Sequence, residues 1–193
     1  MYMATIKKIN IFYFFYGIIK EEVYCMKKAY FAGGCFWCIC DYILSLNIDG
    51  VSDIIVGYSG GHELKATYQM VKSQKTLHRE TIEITYDERK VSLNELLKVF
   101  TDYVDIHNPD GQFIDKGYSY TLALYYQDDY EKNLYTNYLK TLEEPVYISI
   151  EKFKFFVIAE EYHQHYGVKN PEKMMEELIS SNRTCHIRIK NNQ

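Results

Sequence analysis

Three thiols fall within six positions of this 193-residue chain, in YFAGGCFWCICD at residues 30–41. Cys35, Cys38 and Cys40 follow Gly33 and Gly34, and Phe36 and the only tryptophan, Trp37, separate the first two. Such a cluster suits three kinds of chemistry: nucleophilic attack by one thiolate, dithiol–disulfide exchange through Cys-x-x-Cys, or metal ligation completed by His62 or His78. The spacing argues against zinc, because structural zinc sites draw on two separated pairs and a helical Cys40 faces away from Cys35. Dithiol exchange of the thioredoxin type fits locally, but it leaves the two aromatic residues between Cys35 and Cys38 without a purpose.

The flanking pattern says how these residues are held. KAYFA (28–32) reads as a short strand ending at the glycine pair, which turns the chain into a helix from Phe36 to about Leu46. Cys35 then stands at a helix N-terminus, where the helix dipole is expected to lower a thiol pKa. VSDIIVGYSGG (51–61) reads as strand and glycine turn, and TIEITY (81–86) alternates like a half-buried strand. Ser92 and Glu95 form a capping box ahead of Leu93, Leu96, Leu97, Phe100 and Val104 at helical spacing. After the loop DIHNPDGQFIDKGYS come a strand at 120–126 and a helix opened by Asp128 and Glu131, with Leu134, Tyr138 and Leu142 on one face, ending before Pro145. A strand VYISIE follows, then helical pieces, the last with Asn170 as cap and Pro171 in its first turn. Mixed strands and helices with crossovers predict an α/β (α+β) layered fold.

Composition sets the outer limits. A net charge of −4 and a pI near 5.9 offer no global basic face for nucleic acid, and no uncharged apolar run is long enough to cross a bilayer. Five cysteines, an odd number, of which Cys25 and Cys185 are remote from the cluster, do not form a secreted disulfide framework; a reducing, cytoplasmic compartment is expected. Residues 1–25 pair lysines with an apolar stretch but lack a small-residue cleavage site, so they are expected to be an extension outside the functional unit, with Met26 a plausible true start. Residues 26–193 are expected to form one catalytic domain, acting as a monomer.

GGCFWC, GYSGGH (57–62), TYQMV (67–71), HRETIEITYD (78–87), GQFIDKGYSY (111–120) and AEEYHQHY (159–166) together resemble the peptide methionine sulfoxide reductase A family, in the family's order, from Tyr30 to about Pro171. The resemblance implies a ferredoxin-like two-layer sandwich with a mixed sheet, packed helices and long loops. It also implies reduction of the S epimer of methionine sulfoxide, free or in proteins, with no bound cofactor or metal, and with thioredoxin, or dithiothreitol in vitro, as the reductant.

On that resemblance Cys35 is the nucleophile, left as a sulfenic acid when methionine departs. Phe36 and Trp37 enclose the S-methyl group. Glu80 is the acid at the sulfoxide oxygen, Tyr68 and Tyr120 hydrogen-bond that oxygen, and Asp115 helps to bind substrate. Two cysteines are candidates to resolve the sulfenic acid. Cys38 is favoured because it lies three residues on, on the same helical face; Cys185, in NRTCHIRIK, is the alternative or a relay outward. The pattern breaks at Cys40, where the family usually has Glu, so that a supporting hydrogen bond is either lost or supplied by Asp41, and at Thr121, where an arginine is common. The rival readings are a methionine-peptide binding module without turnover and a thioredoxin-like dithiol oxidoreductase.

Overall fold

The computed structural model describes residues 26–180; the extension at 1–25 and Cys185 lie outside the described residues. The apolar run before the glycine pair forms β1 (Met26–Gly33), and the chain turns at Gly34, φ +80°, into α1 (Phe36–Ser45). Both glycines are required by space. A Cβ on Gly33 would overlap Ile39 of α1, and one on Gly34 would run into the side chain of Gln112. Next come β2 (Val51–Ser59), the short α2 (Tyr68–Lys72) and β3 (Arg79–Asp87). The Ser92–Glu95 capping box is formed and opens α3 (Leu93–Tyr103). Two two-residue strands, β4 (Gly111–Gln112) and β5 (Asp115–Lys116), make a hairpin inside the following loop, and a 3₁₀ turn at Tyr118–Tyr120 leads to β6 (Leu122–Tyr126). The chain continues through α4 (Asp129–Leu139), β7 (Ile148–Lys152), β8 (Val157–Ile158), a 3₁₀ turn at Glu161–His163, α5 (Tyr166–Lys169) and α6 (Pro171–Ser180).

The main sheet runs β7-β6-β1-β3-β2-β8, antiparallel except for the β6–β7 pair. Its central strands, β6-β1-β3-β2, joined through α1 and α3, have the ferredoxin-like order. One face packs against α1, α3 and α4 around Phe31, Ile39, Ile82, Ile84, Leu97 and Phe100. The other carries a smaller cluster in which Phe153 stacks on Tyr30 at 4.0 Å and Phe156 also packs.

The burial of β3 corrects the half-buried reading of TIEITY. β3 lies between β1 and β2, and all its residues but Thr85 are buried, Thr81 and Glu83 among them. Thr81 satisfies its hydroxyl on the Arg79 carbonyl, and Glu83 takes Lys28 Nζ at 2.7 Å, so polar residues fill positions that alternation assigns to solvent. α4 stops at Leu139, three residues short of the Leu142 placed on its face, because the chain turns there toward Pro145. The strand β8 has no counterpart in the sequence reading.

Candidate active site

Cys35 is the residue immediately before α1, partly exposed, with φ −57° and ψ 115°. At the first residue of α1, the Phe36 N–H donates to Glu80 Oε2 at 3.0 Å, so an orphan helix donor is satisfied by the carboxyl group that projects from β3. Glu80 is 3% exposed. Burial, and next the charge of Cys35, push its carboxyl well above the ordinary value, with the Phe36 N–H pulling the other way. The result is a buried carboxyl group whose neutral form is favoured.

The Cys35 thiol is less simple than its place at a helix start suggests. The side chain of Cys38, then burial, hold the Cys35 thiol above the ordinary value, while the Cys38 N–H opposes them. The expected lowering by the helix is therefore overridden in this geometry, because a neighbouring sulfur and lost hydration outweigh a few backbone dipoles. Cys38 is thus in contact with Cys35. Cys40 is not: it is buried in the core, its thiol pushed up to about 12 by burial and by Asp41 and Asp53.

Tyr68, the first residue of α2, and Tyr120, at the end of the 3₁₀ turn after Gly117, face the same space. Burial and then the charge of Glu80 raise both phenols, and Asp115 and Cys35 contribute in each case, so both hydroxyls stay protonated donors. Asp115 sits half-buried on β5, and its charge also bears on Cys35 and Glu80. The residues nominated from sequence, all but Cys185, which lies outside the described residues, converge on one place from α1, α2, β3, β5 and a 3₁₀ turn.

Several supports were not singled out from the sequence. Trp37 Nε1–H donates to His163 Nδ1 at 3.1 Å, and the indole stacks on Tyr166 at 3.8 Å with planes 8° apart. His163 also touches Phe36 and Tyr68, with ring centroids 5.2 and 4.5 Å away. Burial lowers its pKa, with Glu160 opposing, so the neutral ring keeps Nδ1 as an acceptor. Glu160 accepts the Tyr68 N–H and the Tyr58 hydroxyl, both at 2.9 Å. Burial raises its pKa, but the Tyr68 N–H, its own N–H, the Tyr58 hydroxyl and His163 together outweigh it and leave the carboxylate below the ordinary value.

Three glutamines tie the loops down. Gln164 bonds both the N–H and the carbonyl of Val56, Gln112 does the same to Asp105, and Gln74 holds Ser119 beside Tyr120. Thr121, where the resemblance leads one to expect an arginine, accepts Arg79 Nε–H at 2.8 Å. Arg79 is buried, lies over the Tyr118 ring at 4.3 Å, and bonds Tyr125 and Glu151. Among the described residues no group of three His, Cys, Asp or Glu is disposed to hold a metal ion.

Comparison with known proteins bears on the same residues. The family model for peptide methionine sulfoxide reductase matches residues 27–193. This chain belongs to that family. A curated relative, peptide methionine sulfoxide reductase MsrA of Picrophilus torridus, is 37% identical over 150 residues, spanning 75% of this chain and 84% of the relative. The MsrA of Bacillus velezensis is 37% identical over 170 residues, 85% of this chain and 92% of its own length. Among solved structures, reduced Mxr1 from Saccharomyces cerevisiae superposes with a TM-score of 0.70 at 29% identity, covering 76% of this chain and 87% of that one. As a peptide methionine sulfoxide reductase, the chain has Cys35, Glu80, Tyr68 and Tyr120 gathered beside Phe36 and Trp37 as its candidate site.

Proposed function

We propose that this protein is a peptide-methionine (S)-S-oxide reductase that returns free and protein-bound methionine sulfoxide to methionine. The observation that carries the reading is the buried Glu80, which accepts at 3.0 Å from the N–H of Phe36, the neighbour of Cys35, and whose neutral form burial favours. Sulfoxide reduction needs a sulfur nucleophile together with an acid at the departing oxygen, and the Phe36 N–H bond sets Glu80 beside the start of α1 where Cys35 stands.

The sulfoxide oxygen is received by Tyr68, Tyr120 and Glu80, while Phe36 and Trp37 take the methyl group and Asp115 borders the substrate. Cys35 sulfur attacks the substrate sulfur, and Glu80 protonates the oxygen as its bond to that sulfur breaks. The carboxylate left behind regains the proton of the Cys35 thiol. The net step is one thiol plus one sulfoxide giving one sulfenic acid plus one thioether: Cys35 is oxidised by two electrons and methionine is released. Attack by Cys38 on the sulfenic sulfur then expels water and leaves a disulfide. Cys38 is preferred over Cys185 because it is in contact with Cys35, and closing that short loop needs no long-range ordering. A dithiol of the thioredoxin type supplies two electrons to reopen the disulfide, with Cys185 able to relay it outward. We assign this cycle to a monomer in a reducing, cytoplasmic compartment, with residues 26–193 as one catalytic domain, no bound cofactor, and residues 1–25 outside it.

The test supplies the two sulfoxide epimers separately with dithiothreitol and quantifies methionine. Methionine from the S epimer alone is expected. Consumption of only the R epimer overturns the assignment, stoichiometric binding without methionine favours a binding module, and reduction of insulin disulfides without either favours a dithiol oxidoreductase.

A further inference from the structure

Asp41 stands next to Cys40, on the side of α1 turned toward α5. Its carboxylate lies on the backbone of Gly167, whose N–H faces it. The approach is close enough that a Cβ on Gly167 would overlap Asp41 Oδ2. Gly167 has an ordinary negative φ, so space for this carboxylate, not backbone conformation, is what its lack of a side chain provides. Around the same carboxylate are His165, Cys40 and, from β2, Asp53, with His165 Nε2 3.9 Å from Asp53 Oδ1. Burial pushes the Asp41 carboxyl up to about 6, with His165 and the Gly167 N–H opposing.

The consequence lies one residue away. His165 is in the left-handed region, φ 51°, its side chain makes no capping bond, and Tyr166 opens α5 with its ring flat against Trp37. A short helix that begins on an uncapped left-handed residue has little holding its first turn. Asp41 reaches that turn from α1 and accepts its second N–H.

We infer that Asp41 is a positioning residue for substrate binding, acting through Gly167 to hold Tyr166 behind the Trp37 wall. The inference rests on the reading of Trp37 as the surface that takes the substrate methyl group. That contact exists in ground and transition states alike, so its loss raises KM while leaving kcat nearly unchanged.

The experiment compares Asp41→Leu, which keeps the volume without an acceptor, with Asp41→Asn, which keeps a carbonyl. Trp37 is the only tryptophan in the chain, so its emission reports the stack directly. Asp41→Leu is expected to raise KM on the order of tenfold with kcat within about twofold, and to shift Trp37 emission. Asp41→Asn restores most of both. Gly167→Ala forms the second arm, used also if Asp41→Leu does not fold. It should raise KM and shift emission in the Asp41 background but add nothing to Asp41→Ala, because the clash is then gone. Unchanged KM and emission in Asp41→Leu, a parallel fall of kcat, or additive effects of Gly167→Ala and Asp41→Ala overturn the inference. A wild-type protein that makes no methionine would instead sink the functional reading, and Trp37 emission would still decide the role of Asp41.

Discussion

Around Cys35, Glu80 is held by a strand paired on both sides and surrounded by buried polar groups, whereas Trp37 is held by rings, an indole stacked on Tyr166 and bonded to His163. The acid side works through charge. Burial first, and then the charges of Glu80 and Asp115, raise the two phenols, and Asp115 adds to the burial that raises Glu80. The wall side works through contact area, with a single hydrogen bond fixing the rotation of the indole. The difference teaches where each kind of damage should appear: in the rate on the acid side, in affinity on the wall side.

The largest effect tests the thiol that both sides serve. Cys35→Ser should abolish methionine formation at every dithiothreitol concentration, because a hydroxyl at its ordinary pKa cannot attack the sulfoxide sulfur. Turnover above a few per cent would move the nucleophile elsewhere.

Glu80→Gln should lower kcat by roughly 10²- to 10⁴-fold with KM changed little. An effect confined to KM would erase the distinction between the two sides. The same residue fixes a pH dependence. Its folded pKa lies above the ordinary 4.5, so the stability and the acid function of the neutral form are fully present below that value. Both are lost as pH rises through the raised folded value, and Glu80→Gln should flatten that fall in stability scans and in kcat alike.

Arg79→Met should destabilise the fold by about 1 to 3 kcal/mol in urea unfolding, because Tyr125 and Thr121 lose a buried donor. Its effect on kcat should be smaller than that of Glu80→Gln, since Arg79 steadies the turn carrying Tyr120 and reaches no reacting atom. Tyr166→Leu is the mildest. Losing the stacked ring should raise KM about 2- to 10-fold with kcat kept. A larger loss in kcat than in KM would show that the wall shapes the transition state.

Local signals carried much of the architecture. The capping box at Ser92, the glycine pair before Cys35 and the strand periods could be read directly because the interactions behind them span a few residues. Cys35, Glu80, Tyr68, Tyr120 and Asp115 could be nominated only through the order of several motifs, since one Glu in a strand or one Tyr among 20 is unmarked by itself. What stayed hidden is long-range. Trp37 to His163 spans 126 positions and Gln164 to Val56 spans 108, and no periodicity encodes such pairs. The second buried face of β3 was missed for the same reason, because Phe156 reaches in from a distant loop to Tyr30 and Gly57 on the strands at either side of it. The raised Cys35 thiol depends on a neighbouring sulfur and on burial, neither of which a helix start reveals.

In the proposed cycle oxygen passes from substrate sulfur to Cys35, and Cys38 closes on the product. One equivalent of the S epimer added to the reduced protein, followed by methionine quantification and disulfide mapping, tests it in a single turnover. One methionine, two thiols lost and a Cys35–Cys38 disulfide are predicted. Methionine formed with Cys35 still a free thiol would contradict the account, and a Cys35–Cys185 disulfide formed at the same rate in Cys38→Ser would transfer the resolving step to Cys185.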